Sequence, residues 1–156
     1  MRTDFAEVLA RESACLGVVT NGAMLASWKR RVVEELMTPR SPYALALHQV
    51  GDAHDRADFL DQWRELIANT VHRLLKTGAT QRDPEGTAVA SRANMDAQKM
   101  AVLILAALHG GNRLSQVARD PRPLHDALDL ALVTLVSAGN GSPERGTSCP
   151  VTSIDL

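Results

Sequence analysis

The stretch FLDQWRELIANTVHRLL, Phe59 to Leu75, decides the fold class. Its apolar or small residues Phe59, Leu60, Trp63, Leu66, Ile67, Thr70, Val71, Leu74 and Leu75 recur at intervals of three and four over several turns. That is the spacing by which an α-helix turns one stripe of side chains toward a core. Asp55 suits the N-cap of this helix, Lys76 complements its C-terminal dipole, and Gly78 suits the left-handed residue that follows a helix end.

Downstream, residues 77–87 carry Gly, Pro, Asp and Thr with little apolar content and read as a surface loop. The next helix covers Met95 to Ala118. Within it Met100 to Leu108 is apolar on every side, so burial on two faces is expected. Asp120-Pro121-Arg122-Pro123 ends that helix and opens another, with Leu124, Ala127, Leu128, Ala131, Leu132, Leu135 and Val136 on a wide apolar face. From Gly139 onward the composition turns to Gly, Ser, Pro and Thr, which predicts a disordered tail over 139–156.

Upstream, Phe5, Val8, Leu9, Leu16 and Val19 predict a first helix, with Asp4 as N-cap and Glu7 returning a hydrogen bond to it. Thr20-Asn21-Gly22 breaks the pattern. Met24, Leu25, Trp28, Val32, Leu36 and Met37 then form the stripe of a second helix that must stop before Pro39. Ser41 to Val50 is a short helix at most. The whole predicts an all-α, single-domain helical bundle over residues 1–138.

Composition narrows the function. The 156 residues carry a formal net charge of -1, which gives no basic face of the kind that displaces counterions from phosphates. Lys29-Arg30-Arg31 is followed by Glu34 and Glu35 and reads as a solvated helix face with local charge pairing. Cys15 and Cys149 lie far apart without metal or redox spacing, which fits reduced thiols in a cytoplasm. Met100 to Leu108 is too short to span a bilayer. No nucleic-acid or membrane partner is expected.

Chemical motifs are sparse. None of the five histidines, His48, His54, His72, His109 and His125, sits one turn from a second ligand in a metal-binding pattern. His48, Asp52, His54, Asp55 and Asp58 read as a hydrated loop and helix cap. There is no nucleophile elbow, phosphate loop or dinucleotide fingerprint, so neither metal nor cofactor is expected. Glu65, His72 and Arg64 share a helix but form no convincing acid-base set. Gly110-Gly111 costs the helix about 1 kcal/mol per residue relative to Ala; close approach of another backbone would explain the pair, and a kink or helix end would explain it equally well. Met24, Trp28, Met37, Tyr43 and Trp63 are the large, adaptable side chains from which an apolar pocket would be built, and for each taken singly core packing is the more ordinary role.

The run Ala101 to Gly111, continuing through Leu114 to Leu124 and Asp126 to Leu128, resembles the last two helices of TetR-family transcriptional regulators. The likeness is to those whose C-terminal domain is of the multidrug-sensing LmrA and YxaF type. The resemblance implies a homodimer in which these helices pack on their copies as a four-helix interface, drawing on Leu103, Ala107, Gly110, Gly111, Leu114, Leu128 and Leu132. It also implies a cavity for a small, mostly apolar ligand, with Met24, Trp28, Trp63, Ile67 and Thr70 as its lining. The family's helix-turn-helix has no counterpart in Met1 to Met37. The expectation is therefore a non-enzymatic sensing domain without its own DNA reader, either a shortened regulator or a stand-alone sensor. The alternatives are a subunit that pairs with and sequesters a full-length regulator, or a small all-helical enzyme.

Overall fold

Each hydrophobic stripe becomes a helix that needs a partner to bury it, and among the described residues six of them meet that need mutually. The computed structural model describes residues 2–48, 52–79 and 88–139. They form α1 Thr3–Gly17, α2 Gly22–Met37, α3 Pro42–His48, α4 Ala53–Ala79, α5 Ala88–Ala118 and α6 Arg122–Gly139, with no strand among the described residues. The fold is all-α. Helix α4 packs between α1 and α5, α6 packs along α5 and reaches α2, and α3 closes the α1 and α2 end.

The helix ends follow local chemistry, and several differ from expectation. The first helix starts at Thr3 after Arg2, which makes no side-chain cap bond, so Asp4 lies inside the first turn. Glu7 pairs with Arg11 at 2.7 Å instead of reaching back to a cap. Val19 is buried beyond the helix end, its N–H bonded to the Leu16 carbonyl. Asn21 caps α2 by accepting from the Met24 N–H at 2.9 Å. Ser41 Oγ accepts from the Ala44 N–H at 3.0 Å and donates to the Glu35 carbonyl, joining the end of α2 to the start of α3.

The N-cap of α4 is Asp52 rather than Asp55: its carboxylate accepts from the His54 N–H at 3.0 Å and its carbonyl from the Arg56 N–H. The anticipated stop at Gly78 is not used, because α4 runs to Ala79, and α5 begins at Ala88, well before Met95. Of the expected loop, residues 80–87 lie outside the described residues, as does the tail from 140 onward. At the other end of α5, Arg119 takes a φ of 53° and the Asp120 N–H bonds the Ser115 carbonyl at 3.1 Å. This is a left-handed helix stop made without glycine.

The core has two parts. An aromatic row joins α1, α4 and α3: Phe5 stacks on Phe59 with centroids 4.5 Å apart, Phe59 lies 5.5 Å from Trp63, and Trp63 meets the edge of Tyr43 at 6.1 Å. Such pairs contribute about 0.5–1.5 kcal/mol each beyond area burial. An aliphatic layer of Ala97, Ala101, Ile104, Leu108, Leu124, Leu128, Leu132 and Leu135 joins α5 to α6. Gly111 lets these two helices close: a Cβ there would stand 2.9 Å from the Leu124 Cα. The close approach inferred for the glycine pair is met inside the chain by Gly111. Gly110 faces open space.

Candidate functional site

Glu12 carries the most unusual chemistry in the chain. It falls in the core register of α1, four residues after Val8 and four before Leu16, and is fully buried. A lone carboxylate in such a place would be costly to desolvate. Here both oxygens are occupied. Oε2 accepts the indole N–H of Trp28 at 2.8 Å and of Trp63 at 3.0 Å. Oε1 accepts from the Arg31 guanidinium at 2.6 Å and from the Tyr43 hydroxyl at 2.7 Å, and Arg31 also donates to the Tyr43 oxygen at 3.0 Å. Four helices therefore meet on one carboxylate. Burial and the adjoining Glu12 charge both push the Tyr43 phenol above its ordinary value, so it stays a donor. Despite burial, its bonds to Tyr43 and Glu12 hold the Arg31 guanidinium above its usual range and firmly charged.

This centre reassigns several residues. Arg31 was expected on a solvated face, yet it turns inward, because Glu12 offers it a desolvated partner that water cannot match. Lys29 pairs with Asp129 of α6, and only Arg30 keeps a local partner, Ser27. Of the five residues expected to line a ligand cavity, Trp28 and Trp63 are core members bonded to Glu12, and Ile67 is core. Thr70 is buried and spends its hydroxyl on the Leu16 carbonyl at the end of α1, where Arg73 donates as well. Met24 is half-buried, its sulfur facing the Thr20 hydroxyl at 3.4 Å. Glu12 was missed, although its place in the Phe5, Val8, Leu16 register was a readable signal.

Two clefts open elsewhere, and none of those five residues lines either. One of about 390 Å³ runs between α1 and α4 past Leu9, Ser13, Asp61, Gln62, Glu65 and Leu66. The other, about 250 Å³, lies between the α2–α3 corner and Gln116 of α5. Glu65 is engaged by Gln98 and Arg64 at 3.3 Å, while the buried His72 Nδ1 has no hydrogen-bond partner. Among the described residues no group of three or more His, Cys, Asp or Glu side chains is arranged to hold a metal ion. No described helix is long and apolar enough to cross a membrane.

The residues expected at a dimer interface divide by helix face. Leu128, Leu132 and Gly111 are buried within this chain, and Ala107 is half-buried. Leu103, Gly110 and Leu114 are exposed. With Ala106 and Val117 they make a continuous stripe along α5 at steps of three and four, and Val117 is 87% exposed. The stretch expected to be covered on two faces packs against both α4 and α6 and still leaves Val102 and Leu103 in the open. On α6, Leu130 and Val133 are also exposed. At 100° per residue, Leu130 lies to the same side of the antiparallel pair as Leu103. The stripe from Leu103 to Val117 is about 21 Å long.

No family model matches this chain, and it matches neither a curated protein nor a solved structure.

Proposed function

We propose that this chain is a non-enzymatic, small-molecule-sensing and dimerising regulatory domain of the TetR type, acting in the cytoplasm. The observation that carries the reading is the outward apolar stripe of Leu103, Leu114 and Val117 on α5, joined on its flank by Leu130 and Val133 of α6. An apolar surface of this length, on two long helices that pack closely through Gly111, supports pairing with a second copy in a four-helix arrangement. The exposed Gly110 on that stripe would let the partner's backbone approach.

For sensing, the support is the division of labour among the helices. Helices α1 to α4 converge on the Glu12 centre and supply most of the lining of both clefts, the second of which also touches Gln116 of α5, whereas α5 and α6 carry the stripe. A ligand among the first four helices would be felt at the pair through α4 and α5, which pack along each other. Regulation then follows if the ligand binds two arrangements of the pair with different affinity.

Native mass spectrometry of the purified chain tests the reading directly. The expected result is a dimer that retains a small apolar molecule. A monomer that pairs only with a full-length TetR-like protein would replace homodimeric sensing with sequestration, and a ligand-free monomer without such a partner would end both.

A further inference from the structure

The cleft between the α2–α3 corner and α5 combines an apolar floor with an unusual cation. Its lining includes Leu36, Met37, Pro39, Ala44 and Leu45, with Arg40, His48 and Gln116 at its polar edge, and no lining residue is acidic. Arg40 sits in the turn Thr38-Pro39-Arg40-Ser41, closed by the Ser41 N–H on the Thr38 carbonyl at 3.2 Å. Its φ is 63°. This is a position where glycine or asparagine is favoured and another residue costs about 1–2 kcal/mol. Arg40 is exposed and lines a cleft without a carboxylate, so its guanidinium is open to an anion.

The Arg40 guanidinium offers an anion entering the cleft a directional fork of donors. The cleft volume, about 250 Å³, lies under the usual range of about 300–1,000 Å³ for drug-sized ligands. A short occupant is implied.

We infer that this cleft binds a short-chain apolar monocarboxylate, its tail on Leu36, Met37, Ala44 and Leu45 and its carboxylate on Arg40 and His48. The inference gives the sensing reading a ligand class and a place, away from the Trp63 region. Gln116 lies one residue before the exposed Val117 on α5, so an occupant touches the helix that carries the outward stripe.

The test is a titration of the isotope-labelled full chain with octanoate, followed by amide NMR, with octylammonium as the charge-reversed control. Saturable shifts are expected at residues 36–48 and at Gln116, with octylammonium producing none. Arg40→Gly and Arg40→Asn remove the cation and suit the left-handed turn, so both variants should fold at least as well as the parent. Each should weaken octanoate about tenfold, the effect of losing a hydrogen bond to a charged group. Absence of saturable shifts, equal binding by octylammonium, or undiminished affinity in both variants would overturn the site. The titration reads the cleft in either oligomeric state, so its failure leaves pairing through α5 and α6 untouched, and a monomer that binds octanoate leaves the site standing.

Discussion

The indole N–H of Trp63 is bonded to the carboxylate of Glu12 at 3.0 Å, across 51 residues of chain. Because the same oxygen accepts from Trp28 at 2.8 Å, both tryptophans of the protein report on one buried group. Glu12→Ala would leave two indoles, a phenol and a guanidinium facing a void. Removing one member of a buried charged pair typically costs about 3–5 kcal/mol, and a loss of that order is expected in urea unfolding. Glu12→Gln keeps an acceptor but loses the charge that Arg31 needs, so its loss should be smaller. Unchanged tryptophan emission and unchanged midpoints for both variants would refute the network.

Adjacent glycines on α5 should answer oppositely to the same change. At Gly111 a methyl group would press on the Leu124 Cα at 2.9 Å and the Ala127 Cβ at 3.2 Å, backbone and short side chain that cannot swing aside. Gly111→Ala should therefore destabilise by about 1–3 kcal/mol, the usual cost of overpacking. A Cβ on Gly110 meets nothing within 4 Å in one copy, and Gly110→Ala should gain up to about 1 kcal/mol of helix propensity. Unfolding measured on both, with sedimentation to follow pairing, separates them. Equal responses would mean that α5 and α6 do not close through Gly111.

These residues also show what was legible in the sequence and why. The stripes of α2 and α4 and the stop before Pro39 were readable because each depends on local spacing and on one or two punctuating residues. The start of α4 at Asp52 was not, because Asp52 and Asp55 both have the chemistry of a cap and only the packed chain selects between them. The same limit hid the Glu12 centre. The register of Val8 and Leu16 marks Glu12 as inward-facing, but its partners Trp28, Arg31, Tyr43 and Trp63, on three other helices, are known only once the chain is packed. Large aromatic residues suited to a ligand pocket are equally suited to satisfying a buried carboxylate. Only the tertiary contacts distinguish the two roles.

The pH response should run through His109. Arg56 approaches its Nε2 at 3.1 Å, and since a guanidinium only donates, that nitrogen must be an unprotonated acceptor. Burial, then Arg56, Arg113 and His48, lower its pKa in the folded chain from the ordinary 6.5. A group that binds its proton more readily when unfolded leaves stability unchanged well above that value. It removes stability as the pH falls through about 6.5 toward the lower folded value. The melting temperature should therefore drop less for His109→Gln than for the parent between about pH 7.5 and about pH 5.5. Parallel curves would show that His109 is not the responsive group.

Two leucines on successive faces of α6 separate the fold from its partner surface. Leu132 is 2% exposed in the aliphatic layer with Leu128, whereas Leu130 is 77% exposed. A lysine at 132 would bury an unpaired ammonium among aliphatic side chains, and Leu132→Lys should cost several kcal/mol or prevent folding. A lysine at 130 stays in water in the single chain, so Leu130→Lys should melt within about 1 kcal/mol of the parent at a concentration where the chain is monomeric. In the proposed pair the same ammonium would be drawn into an apolar seam beside its copy, and the sedimentation profile should shift to monomer. Adding Leu114→Lys on α5 should complete the shift without unfolding the chain. If the doubly substituted protein sediments as the parent does, the α5–α6 face is not where copies meet, and the apolar stripe requires another occupant.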